Sequence, residues 1–408
     1  MRVIACIVTV VMGHTPTEQY VLSEASRPAG VAPDLLDFDP NESTAFGELV
    51  IEDTLHVGGS SIIHTAHLEP WEDSFPIPLR GLVIKYIDDC RLRMSGLPTD
   101  LVVNEYLMLH RLNGSGLTPN VYFLSDPAIV DQSMQTVPKR LESELLEHNF
   151  ADCAARGTNV RFMLMDMVGP SVSAYMQGMK SNPTLYSSSE CTRRVLVICK
   201  KLVSLLKQLN AFGIVHADVH FGNVAFKRPV ASLADINVDT DELVLLDFEY
   251  ATPVGQRPEA SRTENLRPQL LSPWQLMNEP SGPRDDVYRA LLVTADWISR
   301  QRFMKGYASL LRANLEMNGN PARGSANYKN IRREFTKFIR TLVPLFTCSY
   351  LLGSAGVIGE GVPVELHDPI RNRLEGLHKW VTACNQPETP MDFDHIDSEL
   401  ENTVSLFR

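Results

Sequence analysis

The sequence predicts an α+β fold in two parts, of which the first is rich in β-strands and the second is predominantly helical. Between about residues 49 and 166, short β-prone runs are bounded by Gly, Asp and Asn, as strands commonly are. From residue 192 onward, apolar residues recur every three or four positions, which is typical of helices that bury one face. Gly169-Pro170 breaks the chain between these patterns, so we expect a hinge near residues 166–169.

Short apolar runs and one helical pattern define the first part. Strands are predicted at residues 55–68, with a turn at Gly58-Gly59, and at 81–86, 121–124 and 160–165. The apolar spacing from Leu101 to Leu112 predicts a helix, which Asn113-Gly114 ends.

The second part begins with the clearest helix of the chain, predicted from Thr192 to Phe212 by a broad apolar stripe and a following glycine. Two short strands are predicted next, at residues 224–226 and 243–246, and helices dominate beyond Pro283.

These patterns divide the chain into four segments. Residues 1–48 form an irregular extension, 49–168 a first domain with an insertion at 125–159, 169–380 a second domain, and 381–408 a solvated acidic tail. The apolar run from Val3 to Met12 is typical of a short secretory signal within residues 1–13, or of an N-terminal strand. Both interpretations stay open, and with them a cytoplasmic or a secreted location.

Composition excludes several classes of protein. The 408 residues are 44% hydrophobic and 21% charged, as in globular proteins. A formal net charge of −11 argues against binding nucleic acid by phosphate neutralisation. No apolar run reaches the roughly 18 residues that a transmembrane helix needs. The seven cysteines form no C-x-x-C pair, so we expect mostly buried free thiols.

The sharpest functional signal is an H-x-D-x-x-x-x-N motif at residues 216–223, followed after a loop by Asp247-Phe248-Glu249. Phosphoryl transfer needs one carboxylate to orient the attacking hydroxyl, and an amide with a second carboxylate to hold Mg²⁺. We therefore predict Asp218 as the catalytic base, and Asn223 and Asp247 as magnesium ligands.

With this motif, the sequence resembles the protein-kinase-like superfamily, which implies a bilobal fold with a small β-rich N-lobe, a larger helical C-lobe, and ATP and Mg²⁺ as cofactors. Leu82-Val83-Ile84-Lys85 resembles the strand whose lysine meets the ATP phosphates, and Glu105 is the implied ion-pair partner of Lys85. The resemblance implies a catalytic set of Lys85, Glu105, His216 and Asp218. It also implies that Gly58 and Gly59 approach the phosphates.

Two further segments are similar to casein kinase 1 and vaccinia-related kinases. The run from Phe162 to Ser171 ends in a G-P-S turn, which implies that Met165 guards the nucleotide pocket and that the backbone of Asp166 and Val168 meets adenine. Arg284-Asp285-Asp286 resembles the R-D-D element, which implies that Asp286 accepts hydrogen bonds from the backbone of the catalytic loop.

The sequence departs from the protein-kinase pattern at several points. Ser60 stands where the glycine-rich loop usually continues with glycine, so side chains crowd the loop. Ala217 replaces the arginine of H-R-D, which removes the usual partner of an activating phosphate. His220 and Glu249 resemble residues of aminoglycoside and choline kinases, and Glu249 replaces a glycine.

Three functions remain open from the sequence. The first is a kinase that transfers the γ-phosphate of ATP to a Ser or Thr hydroxyl of a protein. The second is a kinase for a small alcohol, which His220 and Glu249 favour. The third is a non-catalytic pseudokinase scaffold, which the glycine-poor loop favours. The first is preferred because Lys85, Glu105, Asp218, Asn223 and Asp247 are all present.

Overall fold

A computed structural model describes most of the chain. The described residues are 7–10, 19–23, 45–57, 61–70, 80–88, 101–124, 128–130, 158–257, 271–276, 279–319, 321, 327–328, 330–332, 334–335, 362–383 and 391–407. The fold is α+β, and the chain divides into two units. Unit 1 comprises Met1–Ser115 and Pro119–Met167, and unit 2 comprises Gly116–Thr118 and Val168–Arg408.

Unit 1 is built on an antiparallel β-sheet. Its strands are β1 (Ile7–Val10), β2 (Gln19–Ser23), β3 (Ala45–Val57), β4 (Ser61–Pro70), β5 (Leu82–Asp88), β6 (Val121–Leu124), β7 (Ala128–Val130) and β8 (Thr158–Asp166). The order is β1-β2-β3-β4-β5-β8-β6, and β7 also pairs with β8. Residues 82–87 of β5 are all buried, which explains why they are apolar or aromatic apart from Lys85.

One helix of unit 1, α1 (Leu101–Leu112), was predicted from its apolar spacing and is confirmed. Its buried face carries Leu101, Leu109 and Leu112, and the same face buries Glu105. The strands predicted at 81–86, 121–124 and 160–165 are confirmed as β5, β6 and β8. The strands that flank the predicted glycine turn are β3 and β4, whereas Gly58 and Gly59 themselves lie outside the described residues.

The strand β1 lies within the Val3–Met12 run, for which an N-terminal strand was one of the two open interpretations, whereas the prediction of an irregular extension over residues 1–48 is wrong where β2 and the start of β3 lie. These segments are held by backbone pairing, with Val8 opposite Leu22 and Val21 opposite Glu48. Backbone ladders satisfy the hydrogen bonds of a strand whatever its side chains, so β2 and the start of β3 form without a clear apolar alternation. Within the predicted insertion at 125–159, β7 and the start of β8 are also regular.

Unit 2 is mostly helical among its described residues. Its helices are α2 (Val172–Lys180), α3 (Pro183–Ser187), α4 (Ser189–Ala211), α5 (Pro273–Leu276), α6 (Pro283–Ile298), α7 (Arg302–Met317), α8 (Val364–Ala383) and α9 (Phe393–Val404). The predicted long helix is confirmed as α4. Every residue of α6 is buried, so α6 is surrounded by the rest of unit 2.

Two small antiparallel pairs complete unit 2. They are β9 (Ile214–Val215) with β12 (Thr252–Pro253), and β10 (Val224–Phe226) with β11 (Leu243–Leu245). The strands β10 and β11 were predicted. Gly169 lies against this region, where a Cβ atom would come within 2.3 Å of the Arg228 carbonyl oxygen. Only glycine therefore fits at the start of the G-P-S turn.

The prediction of a solvated acidic tail is wrong for residues 393–404, which form α9 and pack against α4. The apolar residues Phe393, Ile396 and Leu400 recur at helical spacing and are buried. The acidic residues face outward, and Glu401 forms a 2.7 Å ion pair with Lys200 of α4. Because acidic residues are frequent in this segment, its composition suggested a solvated tail although the helix has a short apolar stripe.

In the described part of the chain, no helix combines the length and the apolar character that crossing a membrane requires.

Candidate functional site

In unit 1, Lys85 and Glu105 form a buried ion pair. Lys85 Nζ donates to both carboxylate oxygens of Glu105, at 2.8 and 2.7 Å. Their side chains are 9% and 3% exposed. Strand β5 holds Lys85 between Ile63 of β4 and Met163 of β8, while α1 supplies Glu105. The pairing that the order of motifs implied is therefore present, and it fixes an ammonium group at the centre of the sheet.

The end of β8 carries the residues that the resemblance assigns to the nucleotide pocket. Met165 is buried opposite Val83. Asp166 uses its carboxylate to accept hydrogen bonds from Tyr122 Oη and Asn120 Nδ2, and its backbone N–H donates to the Asn120 carbonyl. Val168, in unit 2, is partly exposed, and its backbone N–H has no acceptor among the residues that the structure describes.

In unit 2, the backbone of the H-x-D loop is held by α6. Asp286 accepts hydrogen bonds from the backbone N–H groups of His216 at 2.7 Å and Ala217 at 2.9 Å, which confirms the contact predicted for Asp286. Burial raises the pKa of Asp286 to about 6, so the carboxylate is mainly ionised at neutral pH. Ala217 has a φ of 63°, which is strained for a residue with a Cβ atom. The bonds to Asp286 maintain this strained turn.

His216 is buried within the loop that it supports. Its side chain is completely buried and packs against Phe248, with ring centroids 4.7 Å apart. Nε2 lies 2.8 Å from the Leu246 carbonyl oxygen, and Nδ1 accepts a 3.3 Å hydrogen bond from the Asp218 N–H. Because both ring nitrogens are engaged within the loop, these contacts favour a positioning role for His216 within the catalytic set that the resemblance implies.

Asp218 is a buried carboxylate with partners on both oxygens. Oδ1 accepts a 2.7 Å hydrogen bond from Arg289 Nη1, and Oδ2 accepts one of 3.2 Å from Asn223 Nδ2. Burial acts to raise the pKa of Asp218, but the donors and positive charge of His220 and Arg289 outweigh it and hold the pKa well below its ordinary value. Asp218 therefore stays ionised across the physiological range.

The imidazole of His220 is directed toward Asp218 by the local backbone. Its Nδ1 accepts a 2.9 Å hydrogen bond from the Gly222 N–H, so in a neutral ring the proton resides on Nε2. Nε2 lies 3.6 Å from Asp218 Oδ2. A Cβ atom at Gly222 would come within 2.8 Å of the ring, so glycine is required for this close approach.

Asn223 and Asp247 are brought together by the β10–β11 pair. Because Val224 lies opposite Leu245, Asn223 and Leu246 are at the same end of the pair, and the Leu246 N–H donates to the Asn223 carbonyl. Asp247 follows directly, in a left-handed conformation with a φ of 62°. The residues Asp218, Asn223 and Asp247 thus converge at one end of one short β-pair.

The donor set at this end of the pair suits Mg²⁺. Asp247 Oδ1 is buried and has no hydrogen-bond donor among the described residues. The side-chain Nδ2 of Asn223 donates to Asp218, so the side-chain oxygen of Asn223 is the atom that it can offer to a metal ion. Magnesium prefers oxygen ligands and is usually held by one or two protein groups together with phosphates and water. The residues present therefore fit a magnesium ion.

Sequence reasoning missed two residues of this network, Arg289 and Gln275. Arg289 of α6 bonds both Asp218 and Gln275, and Gln275 Nε2 donates to the Ala217 carbonyl at 3.2 Å. The available signal was an arginine in the middle of a helix whose neighbouring residues, from Val287 to Val293, are otherwise apolar or aromatic, since a buried charge needs a buried partner.

No protein-family model matches the chain, and no curated protein matches it significantly.

Proposed function

We propose that the protein is an ATP- and Mg²⁺-dependent phosphotransferase of protein-kinase-like, bilobal fold, with unit 1 as the N-lobe and unit 2 as the C-lobe. The observation that carries the proposal is the convergence of Asp218, Asn223 and Asp247 at one end of the β10–β11 pair. Phosphoryl transfer to a hydroxyl needs one carboxylate close to two groups that can offer oxygen ligands to a metal ion. Asp218 would be that carboxylate, and Asn223 and Asp247 would be the two groups.

Each residue has one part in the proposed reaction. Asp218 accepts a hydrogen bond from the attacking hydroxyl and takes its proton as the new bond to the γ-phosphorus forms and the bond from that phosphorus to the bridging oxygen breaks, which releases ADP. Asn223 and Asp247 would hold Mg²⁺, which would neutralise phosphate charge. Lys85, held by Glu105, binds phosphate oxygens of ATP, and the backbone of Asp166 and Val168 meets adenine.

The low pKa of Asp218 favours an orienting role over strong general-base catalysis. A carboxylate that is ionised throughout the physiological range is always ready to accept a hydrogen bond, but it withdraws a proton only weakly. Phosphoryl transfer through a loose transition state makes modest demands on a base, because the hydroxyl loses its proton late. The electrostatics of Asp218 therefore agree with the proposed chemistry.

The first candidate for the phosphate acceptor is a Ser or Thr hydroxyl of a protein. A small alcohol is the second candidate, because His220 directs Nε2 toward Asp218 and Glu249 is buried near the same β-pair, 6% exposed. These two residues are the ones that resemble small-molecule kinases.

Radiolabelled ATP separates the acceptors. ATP labelled on the γ-phosphate is offered with Mg²⁺ to generic protein substrates and to a panel of amino alcohols and aminoglycosides, with a chelator of Mg²⁺ in a parallel control. We expect label in protein hydroxyls that disappears with the chelator. Label confined to the small molecules rejects the protein acceptor and selects the second candidate. No label in any acceptor contradicts phosphotransfer itself.

A further inference from the structure

Arg289 connects Asp218 to a second segment of unit 2. Nη1 donates to Asp218 Oδ1 at 2.7 Å, and Nε donates to Gln275 Oε1 at 3.0 Å. Arg289 itself is completely buried in α6. Because the guanidinium is rigid and planar, these two bonds fix the direction from which the Asp218 carboxylate is held.

Gln275 extends the network to the backbone of the catalytic loop. Its oxygen accepts hydrogen bonds from Arg289 and from the Ser272 N–H at 3.1 Å, while its Nε2 donates to the Ala217 carbonyl. The strained turn at Ala217 is thus tied on one side to Asp286 and on the other to Gln275. Arg289 therefore closes a ring of contacts around the loop that carries Asp218.

We propose that Arg289 is a positioning residue for phosphoryl transfer, which holds the Asp218 carboxylate in the orientation that meets the attacking hydroxyl. The inference rests on the proposed function. The guanidinium that reaches Asp218 comes from α6, since the neighbouring position of the motif holds Ala217. With Oδ1 held by Arg289, Oδ2, which accepts one hydrogen bond from Asn223, is the oxygen whose second lone pair can accept the hydroxyl proton.

A purely structural role accounts less well for a buried arginine here. Nη2 of Arg289 is buried without a hydrogen-bond partner among the described residues, which is unfavourable for folding. Replacing a buried ion pair by apolar residues of similar volume is often neutral or stabilising. Stability alone therefore gives little reason for the ion pair of Arg289 with Asp218, whereas orientation of the Asp218 carboxylate is served by a donor at this point.

The test compares two buried arginines of the same helix. Arg289→Met keeps the length of the side chain and removes its donors. Arg284→Met is the matched control, because Arg284 is 1% exposed and bonds Glu279 at 3.0 Å instead of Asp218. Arg289→Gln replaces Arg289→Met in the test if the methionine variant does not fold. The single side-chain amide of glutamine cannot bond Gln275 and Asp218 at the same time, as the guanidinium of Arg289 does. The melting temperature, kcat and KM for ATP are measured for each variant.

We expect Arg289→Met to lower kcat by about 10²-fold, as misplacing a catalytic group does, with little change in KM for ATP. Arg289→Lys, which keeps the charge, should recover part of kcat. Arg284→Met should keep the wild-type kcat even if its melting temperature falls as far as that of Arg289→Met. An active wild type with unchanged kcat in the Arg289 variants, or an equal loss in Arg284→Met, overturns this inference alone. A wild type that transfers no phosphoryl group overturns the proposed function and this inference together.

Discussion

The substitution Asp218→Asn is expected to abolish phosphoryl transfer while leaving nucleotide binding intact. Asparagine keeps the shape of the side chain and an oxygen that can accept from Arg289, but it cannot take the hydroxyl proton. Removing a positioned proton acceptor costs about 10²–10⁴-fold in rate. The measurement is incorporation of γ-labelled phosphate by the variant beside the wild type, with binding of ATP followed separately.

Asp239→Asn is the matched control for this substitution. It replaces another ion-paired carboxylate of unit 2, 2.8 Å from Arg193, at the protein surface. We expect wild-type transfer from this control, since exposed ion pairs contribute little. If Asp218→Asn transferred phosphate at the wild-type rate, the role assigned to Asp218 would be wrong.

The substitution Lys85→Met should have two separable effects. The Glu105 carboxylate, 2% exposed, loses the cation that binds both of its oxygens. Removing one partner of such a buried pair costs about 3–5 kcal/mol in stability. Transfer should fall as well, because the substitution removes the ammonium that we propose binds the ATP phosphates.

A double substitution separates these two effects. In Lys85→Met with Glu105→Leu, apolar groups replace the pair, so we expect unfolding measured by heat or denaturant to return toward the wild type. Transfer should remain low in the double variant. Recovery of transfer together with stability would show that Lys85 acts through the fold of unit 1 and not through phosphate.

Local patterns predicted most of the fold that surrounds the candidate site. Short-range apolar spacing, which a sequence shows directly, predicted the helix from Leu101 to Leu112 and the buried strand β5. The strand β2 and the start of β3 were missed because their stability lies in pairing with distant backbone. The helix α9 was missed because its buried stripe is narrow and four acidic residues, Asp394, Asp397, Glu399 and Glu401, lie among its polar positions.

The candidate site was predicted unevenly for a similar reason. The resemblance to protein kinases implied the Lys85–Glu105 pair and the contact from Asp286 to the catalytic loop, and both contacts are present. His216 belongs to the same motif, but only the structure shows that both of its ring nitrogens are engaged. The contact between Asp218 and Arg289 spans 71 residues and follows no motif spacing, so it depends on how α6 packs.

The central claim is that this chain binds ATP together with Mg²⁺, and thermal unfolding tests it most directly. A ligand at about 100 times its Kd stabilises the folded state by about 2.7 kcal/mol. We predict an upward shift of the melting temperature with ATP and Mg²⁺ together, which Asp247→Asn reduces to the shift seen with ATP and a chelator. The absence of any shift at millimolar ATP, with or without Mg²⁺, would contradict the account.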